Sequence, residues 1–159
     1  MHLLKNENQI LKANNLLYMT NENDIKANAV VNFMMQHDLF SQWMGIELLE
    51  IKIGYSRIKM TVRKEMINGL GIVHGGIAFS MADSAFAFAC NNRNNLSVAL
   101  DTSINFLKPV QVDDVLIAEA REIHNGRSTG LYQVTISNQK NHDVAIFKGT
   151  CFRTNKSLI

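Results

Sequence analysis

Apolar and polar residues fall into two rhythms along this chain, and the change from one to the other marks its elements. From Ala27 to Phe40 the apolar positions Ala27, Val30, Val31, Met34, Met35 and Leu39 recur at helical spacing. That spacing predicts an amphipathic helix lying over a sheet edge. Ile46 to Ile53 and Ser56 to Val62 then have alternating character, with Arg57, Lys59 and Thr61 set between Ile58, Met60 and Val62. Joined by a turn at Gly54-Tyr55, they predict a hairpin. Four more strand-like stretches follow: Leu96 to Phe106, Val115 to Ile123, Gly130 to Ser137 and Val144 to Arg153. Pro109 with Asp113-Asp114, then Asn125-Gly126, then Asn138 to His142 supply the breaks between them.

One stretch keeps neither rhythm. From Gly76 to Cys90 nearly every residue is Ala, Phe, Ile, Met or Cys, and a helix that is apolar all round belongs inside a core. Six strands and one long buried helix predict an α+β domain, a curled antiparallel sheet of about six strands wrapped on a central helix. Residues 27–159 supply that domain. Residues 1–26, rich in Asn, Lys and Glu, are expected to be a loosely ordered N-terminal extension.

Composition narrows the picture. At 159 residues and 47% hydrophobic the chain builds one sizeable core. A formal charge of +2 gives no electrostatic case for nucleic acid or a membrane surface, so an anionic ligand must be met locally. Cys90 and Cys151 read as buried thiols of a reducing compartment rather than a disulfide framework. The sequence near Met1 has no signal-peptide core, and no run of about 18 apolar residues occurs. The expected location is the cytoplasm.

The chemistry concentrates on the apolar helix. At 3.6 residues per turn Gly76, Ser80, Asp83 and Ala87 share one face, which places a carboxylate on a narrow strip of small side chains. Such an acid can be structural, bonded to a nearby serine or capping group. A carboxylate in apolar surroundings is nevertheless costly unless satisfied, and such groups gather where function needs them. Ahead of it, Gly75-Gly76 opens the helix with free N–H groups and the positive end of the dipole, which suits a developing oxyanion. Asn68 beside Gly69 can be a turn residue, and His74 a structural hydrogen-bonder at the loop-to-helix junction. The turn Gly126-Arg127-Ser128-Thr129 can be an ordinary connection, yet its charge, hydroxyls and backbone donors also suit a phosphate, and Lys108 is a weaker candidate. Phe79, Phe86, Phe88 and Phe106 either line a pocket or fill the core. No Cys/His/Asp spacing resembles a metal site.

His74-Gly75-Gly76, with Asp83 nine residues after the histidine and Asn68-Gly69 before it, resembles the signature of hotdog-fold acyl-CoA thioesterases. The phenylacetic-acid-degradation type is the nearest in pattern. The resemblance runs from about Ile46 to Arg153 and implies a hotdog fold with no cofactor, coenzyme A being part of the substrate. It implies that Asp83 acts as general base on a water or as nucleophile, that the Gly75 N–H polarises the thioester oxygen, and that Asn68 orients water or carbonyl. His74 would hold the Gly75 backbone, and Arg127, Ser128, Thr129 and Lys108 would bind the coenzyme A portion, with Phe79 at an aryl or medium-chain acyl pocket. It further implies a homodimer with shared sites, paired into a dimer of dimers. Some relatives carry a serine two residues before the position matching Asp101, where this chain has Ala99. Two other functions remain open: a hotdog dehydratase or hydratase, in which a histidine carries the proton, and a non-catalytic acyl-CoA-binding module.

Overall fold

The computed structural model describes residues 22–159. A helix spanning residues 22–37 (α1) and a short one, Leu39–Met44 (α2), precede the hairpin β1 (Glu47–Lys52) and β2 (Tyr55–Thr61). A 3₁₀ turn at Lys64–Met66 and a loop lead to the long helix α3 (Gly75–Asn91). Then come β3 (Ser97–Phe106), β4 (Val115–Asn125), β5 (Thr129–Ser137) and β6 (Asp143–Arg153). The six strands form one antiparallel sheet in the order β1-β2-β4-β5-β6-β3. Helix α3 packs against β2 to β6, so the sheet wraps it. This is the curled sheet on one central helix that the pattern predicts, and the hotdog fold that the resemblance implies.

The central helix is held in a fixed rotation. Ala78, Met81, Ala82, Ala85, Phe86, Phe88 and Ala89 are buried toward the sheet, where Phe86 meets Tyr132 and Phe147 at ring centroids of 5.6 and 5.9 Å. Polar stitches set the register. The Ser56 hydroxyl donates to the Ala85 carbonyl at 2.6 Å, and the Ser41 and Ser84 hydroxyls meet at 2.9 Å. At the far end Asn92 accepts from the Gly54 N–H at 3.0 Å and donates to the Lys52 and Tyr55 carbonyls, while Asn91 pairs with the Ser97 backbone. Each buried amide is satisfied twice or more, so rotating α3 would orphan several polar groups at once.

The expected single helix from Ala27 to Phe40 is two helices. Asp38 accepts from the Ser41 N–H at 2.9 Å and from its hydroxyl at 2.6 Å, capping α2 and ending α1 one residue earlier. Ala27, Val30 and Val31 are buried as the stripe requires, whereas Leu39 opens α2 and is 77% exposed. Of the expected extension, residues 1–21 lie outside the described residues, and residues 22–26 begin α1. Cys90 and Cys151 are free and buried. Among the described residues no helix is long and apolar enough to cross a membrane.

Candidate functional site

The loop before α3 is built by Asn68. Its side-chain oxygen accepts from the Leu70 N–H at 2.8 Å and the Ile72 N–H at 3.4 Å, and its own N–H donates to the Ile72 carbonyl at 2.7 Å. Gly71 completes the bend at φ 77°, a left-handed conformation that favours glycine. The turn reading of Asn68 therefore holds for its oxygen. Its amide nitrogen donates to nothing among the described residues and is the free end of the side chain.

Past the loop, the His74 N–H donates to the Met66 carbonyl at 2.9 Å, and the His74 backbone (φ −65°, ψ 130°) caps the helix. Its Nδ1 accepts from the Gly76 N–H at 2.9 Å, and its carbonyl accepts from the Ile77 N–H at 2.9 Å. His74 thus satisfies Gly76 rather than Gly75. Among the described residues nothing accepts from the Gly75 N–H. One donor at the positive end of α3 is left for a ligand.

A cavity of ≈ 430 Å³ opens beside it. Asn68, His74 and Gly75 line one side; Phe106, Lys108 and Pro109 line the other. A side chain on Gly75 would place its Cβ 3.2 Å from the Phe106 ring, so glycine lets the ring and the helix start share this space. Phe79 is not part of this lining: its ring packs edge-on against Phe147 at 5.5 Å, and Phe86 and Phe88 are core. Of the four phenylalanines, Phe106 alone faces the cavity.

Asp83 lies two turns further along α3. It is half-buried with Gly76, Ser80 and Ala87, the strip that the sheet leaves uncovered. Its carboxylate has no hydrogen-bond or ion-pair partner among the described residues, and burial raises its pKa above the ordinary aspartate value. Asp83 and Gly75 are eight residues apart, so they stand about 12 Å from each other along the axis.

The Arg127 turn sits at the other end of the molecule. Thr129 pairs with Phe152, next to the start of β3, and Arg127 and Ser128 are exposed. A residue missed in the sequence fixes this turn. Arg153, 4% exposed, donates to the Gly126 carbonyl at 3.3 Å and the Cys90 carbonyl at 3.5 Å, and its N–H bonds the Ser128 carbonyl at 2.9 Å. The signal was a lone arginine at an inward position of a strand, two residues after buried Cys151. One chain therefore gathers Asn68, His74, Gly75 and Lys108 at the start of α3, Asp83 midway, and Arg127, Ser128 and Thr129 past its end. No group of His, Cys, Asp and Glu among the described residues could hold a metal.

Comparison with known proteins bears on this arrangement. The family described as the thioesterase superfamily matches residues 70–145. The chain is 39% identical to the acyl-coenzyme A thioesterase PaaI of Escherichia coli K12 over 120 residues, 76% of this chain and 86% of the relative. It is 25% identical to human acyl-coenzyme A thioesterase 13 over 113 residues, 69% of this chain and 81% of the relative. The solved structure of the Escherichia coli PaaI protein superposes with a TM-score of 0.82 at 36% identity, covering 84% of this chain and 97% of that one. A hypothetical thioesterase from Streptococcus pneumoniae, solved with coenzyme A, superposes with a TM-score of 0.68 at 29% identity, covering 70% and 88%.

Proposed function

Because the chain belongs to the thioesterase superfamily, we propose that it hydrolyses an acyl-CoA thioester to a free acid and coenzyme A at a site built from the Gly75 N–H and Asp83. The observation that carries the site is a pair of unmet groups on one helix, a free N–H at its start and an unpartnered carboxylate on its uncovered face. As general base, Asp83 takes a proton from water while the oxygen attacks the carbonyl carbon. As nucleophile, its oxygen attacks directly and water then cleaves the mixed anhydride. In either route the Gly75 N–H holds the oxyanion, the C–S bond breaks, and the departing thiolate takes up a proton. Neither route calls for a metal or redox cofactor. The dehydratase alternative needs His74 as the base, but with Nδ1 accepting from the Gly76 N–H the ring hydrogen sits on Nε2, which leaves no free lone pair to take a proton.

The site is completed by a second copy of the chain. A donor must lie about 3 Å from the developing charge, and a base acting through one water must approach the same carbon. A 12 Å separation along α3 prevents one chain from doing both. Antiparallel α3 helices about a two-fold axis would bring Gly75 of one protomer beside Asp83 of its partner, making two sites per dimer. Support comes from β3, an edge strand with Val98 and Leu100 50% and 62% exposed, whose backbone is open to pairing. The same symmetry carries the turn Arg127-Ser128-Thr129 of one chain toward the Gly75 end of the other, where with Lys108 it would hold the coenzyme A phosphates. Exposed Phe40 and Trp43 offer a further apolar contact for pairing such dimers. The buried free thiols suit the cytoplasm.

A thiol-release assay over aryl, short, medium and long acyl-CoA esters tests the activity. Free coenzyme A should appear in step with free acid, most readily from an aryl or medium-chain ester. Acyl-CoA binding without thiol release, or hydration of an enoyl ester, would contradict the proposal.

A further inference from the structure

We propose that Arg153 is a positioning residue for coenzyme A: buried beneath the turn Gly126-Arg127-Ser128-Thr129, it holds that turn in the shape that receives a phosphate. The inference rests on the placement of this turn at the coenzyme A phosphates given above. Its starting point is a hairpin that does not close itself. Arg127 and Ser128 alone connect Gly126 to Thr129, and two-residue hairpin loops ordinarily need a left-handed residue to match the twist of their strands. Neither Arg127 nor Ser128 has a positive φ. The Gly126 N–H donates to the Thr129 carbonyl at 2.9 Å, yet among the described residues no return bond runs from the Thr129 N–H to the Gly126 carbonyl.

Arg153 supplies what the hairpin lacks. Its Nε donates to that Gly126 carbonyl at 3.3 Å, its Nη2 donates to the Asn125 side-chain oxygen, and its backbone N–H donates to the Ser128 carbonyl at 2.9 Å. Both arms of the turn are thus tied to one residue. Nη1 reaches the Cys90 carbonyl at 3.5 Å, which fastens the turn to the end of α3, the helix that carries Asp83. A guanidinium presents its N–H donors in a rigid fork, so one side chain serves three acceptors at once.

Two neighbouring positions are shaped to admit it. The register of β4 against β5 slips between Glu122 and His124, and the extra residue Ile123 brings Asn125 opposite the buried Gly130, on the side of the sheet where Arg153 lies. A Cβ on Gly130 would stand 2.9 Å from Arg153 Nη2 and 3.1 Å from Cys151 Sγ, so glycine there leaves room for the guanidinium. Arg153 is 4% exposed, out of reach of a ligand, whereas Arg127 and Ser128 are exposed and their N–H groups donate to nothing among the described residues. Arg153 therefore acts through the turn. It fixes free donors before a phosphate arrives, and a turn already ordered binds without the entropy cost of ordering.

The test measures kcat and KM for wild type, Arg127→Ala, Arg153→Gln, Arg153→Lys and the double variant Arg127→Ala/Arg153→Gln. Each is given the best acyl group of the thiol-release panel, as the CoA ester and as the N-acetylcysteamine ester, which lacks the nucleotide. Arg153→Gln should raise KM for the CoA ester roughly tenfold, the scale of a turn that must be ordered on binding, with kcat unchanged and little change on the truncated ester. Arg153→Lys, which keeps the charge but not the fork, should show a smaller rise confined to the same ester. Because Arg153 acts through the turn, the double variant should be scarcely worse than Arg127→Ala. A residue that serves the fold alone would weaken both esters alike; that result overturns the proposal, as do unchanged KM values in folded variants and penalties that simply add in the double variant. If Arg153→Gln does not fold, Arg153→Lys decides by the same split. Wild type and Arg127→Ala are read first: no thiol release defeats the hydrolase reading, and an Arg127→Ala protein unchanged on the CoA ester removes the turn from the phosphates, either taking this inference with it. A loss confined to the CoA ester in Arg127→Ala, with none in the Arg153 variants, defeats this inference alone.

Discussion

Asp83→Asn is expected to lower kcat by roughly 10²–10⁴-fold, the usual yield of a positioned acid–base group, while the protein stays folded because the side chains match in shape. The pH dependence follows from burial. Asp83 titrates above the ordinary aspartate range because its surroundings disfavour the charge, and only the carboxylate can act as base or nucleophile. Activity should therefore decline on the acid side as pH falls through that raised value. The linkage to stability has the opposite sense. A carboxyl group whose folded pKa is raised favours folding most below its unfolded value of about 3.9, and that contribution is lost as pH rises through the folded value. Thermal melts should show Asp83→Asn at least as stable as wild type at neutral pH, with the gap closing in acid. A folded variant that turns over the best substrate within a few-fold of wild type would remove Asp83 from the chemistry.

Gly75→Pro should cost about 10²–10³-fold in kcat, the loss expected for one oxyanion donor, and it should do so without breaking α3. Proline is tolerated at the first helical position, where the N–H has no partner within the helix. It requires an extended residue before it, and His74 at φ −65°, ψ 130° already is one. Gly75→Ala is the control. It adds the same Cβ toward Phe106, whose exposed ring can give way, but keeps the N–H. The difference in kcat between the Pro and Ala variants isolates the hydrogen bond. Equal rates in two folded proteins would mean that the donor lies elsewhere.

How far the sequence foretold these features varied with their physics. Helix α3 was legible because a stretch with eleven apolar residues among the fifteen from Gly76 to Cys90, without alternation, has few places to go. The 3.6-residue period also placed Gly76, Ser80, Asp83 and Ala87 on one strip, and these are half-buried; from Met81 to Cys90 Asp83 and Ala87 alone are so, while in the first turns Ile77 and Phe79 are half-buried as well. Local competition was harder to read. Asp38 can continue a helix or cap the next one, and a carboxylate reaching the Ser41 N–H and hydroxyl decides the matter. Pairing at long range left no local mark. Periodicity finds β3, but not that it lies beside β6 at the sheet edge. Likewise, four phenylalanines looked alike until their rings were placed: Phe86 and Phe88 in the core, Phe79 on Phe147, and Phe106 at the cavity. Arg153 escaped notice because its worth lies in a carbonyl of the turn and another at the end of α3.

The central claim is that the two halves of α3 serve different sites, each finished by the partner. It is tested most directly by mixing Gly75→Pro and Asp83→Asn proteins, exchanging their subunits, and measuring thiol release, with native mass spectrometry to verify the mixed dimer. Random reassortment of equal amounts makes about half the dimers mixed. In each of these, Gly75 of the Asp83→Asn chain meets Asp83 of the Gly75→Pro chain, so one of two sites is whole and the mixture should regain roughly a quarter of wild-type activity. If verified mixed dimers stay at the level of their nearly inactive parents, Gly75 and Asp83 act from one chain and the shared site is wrong.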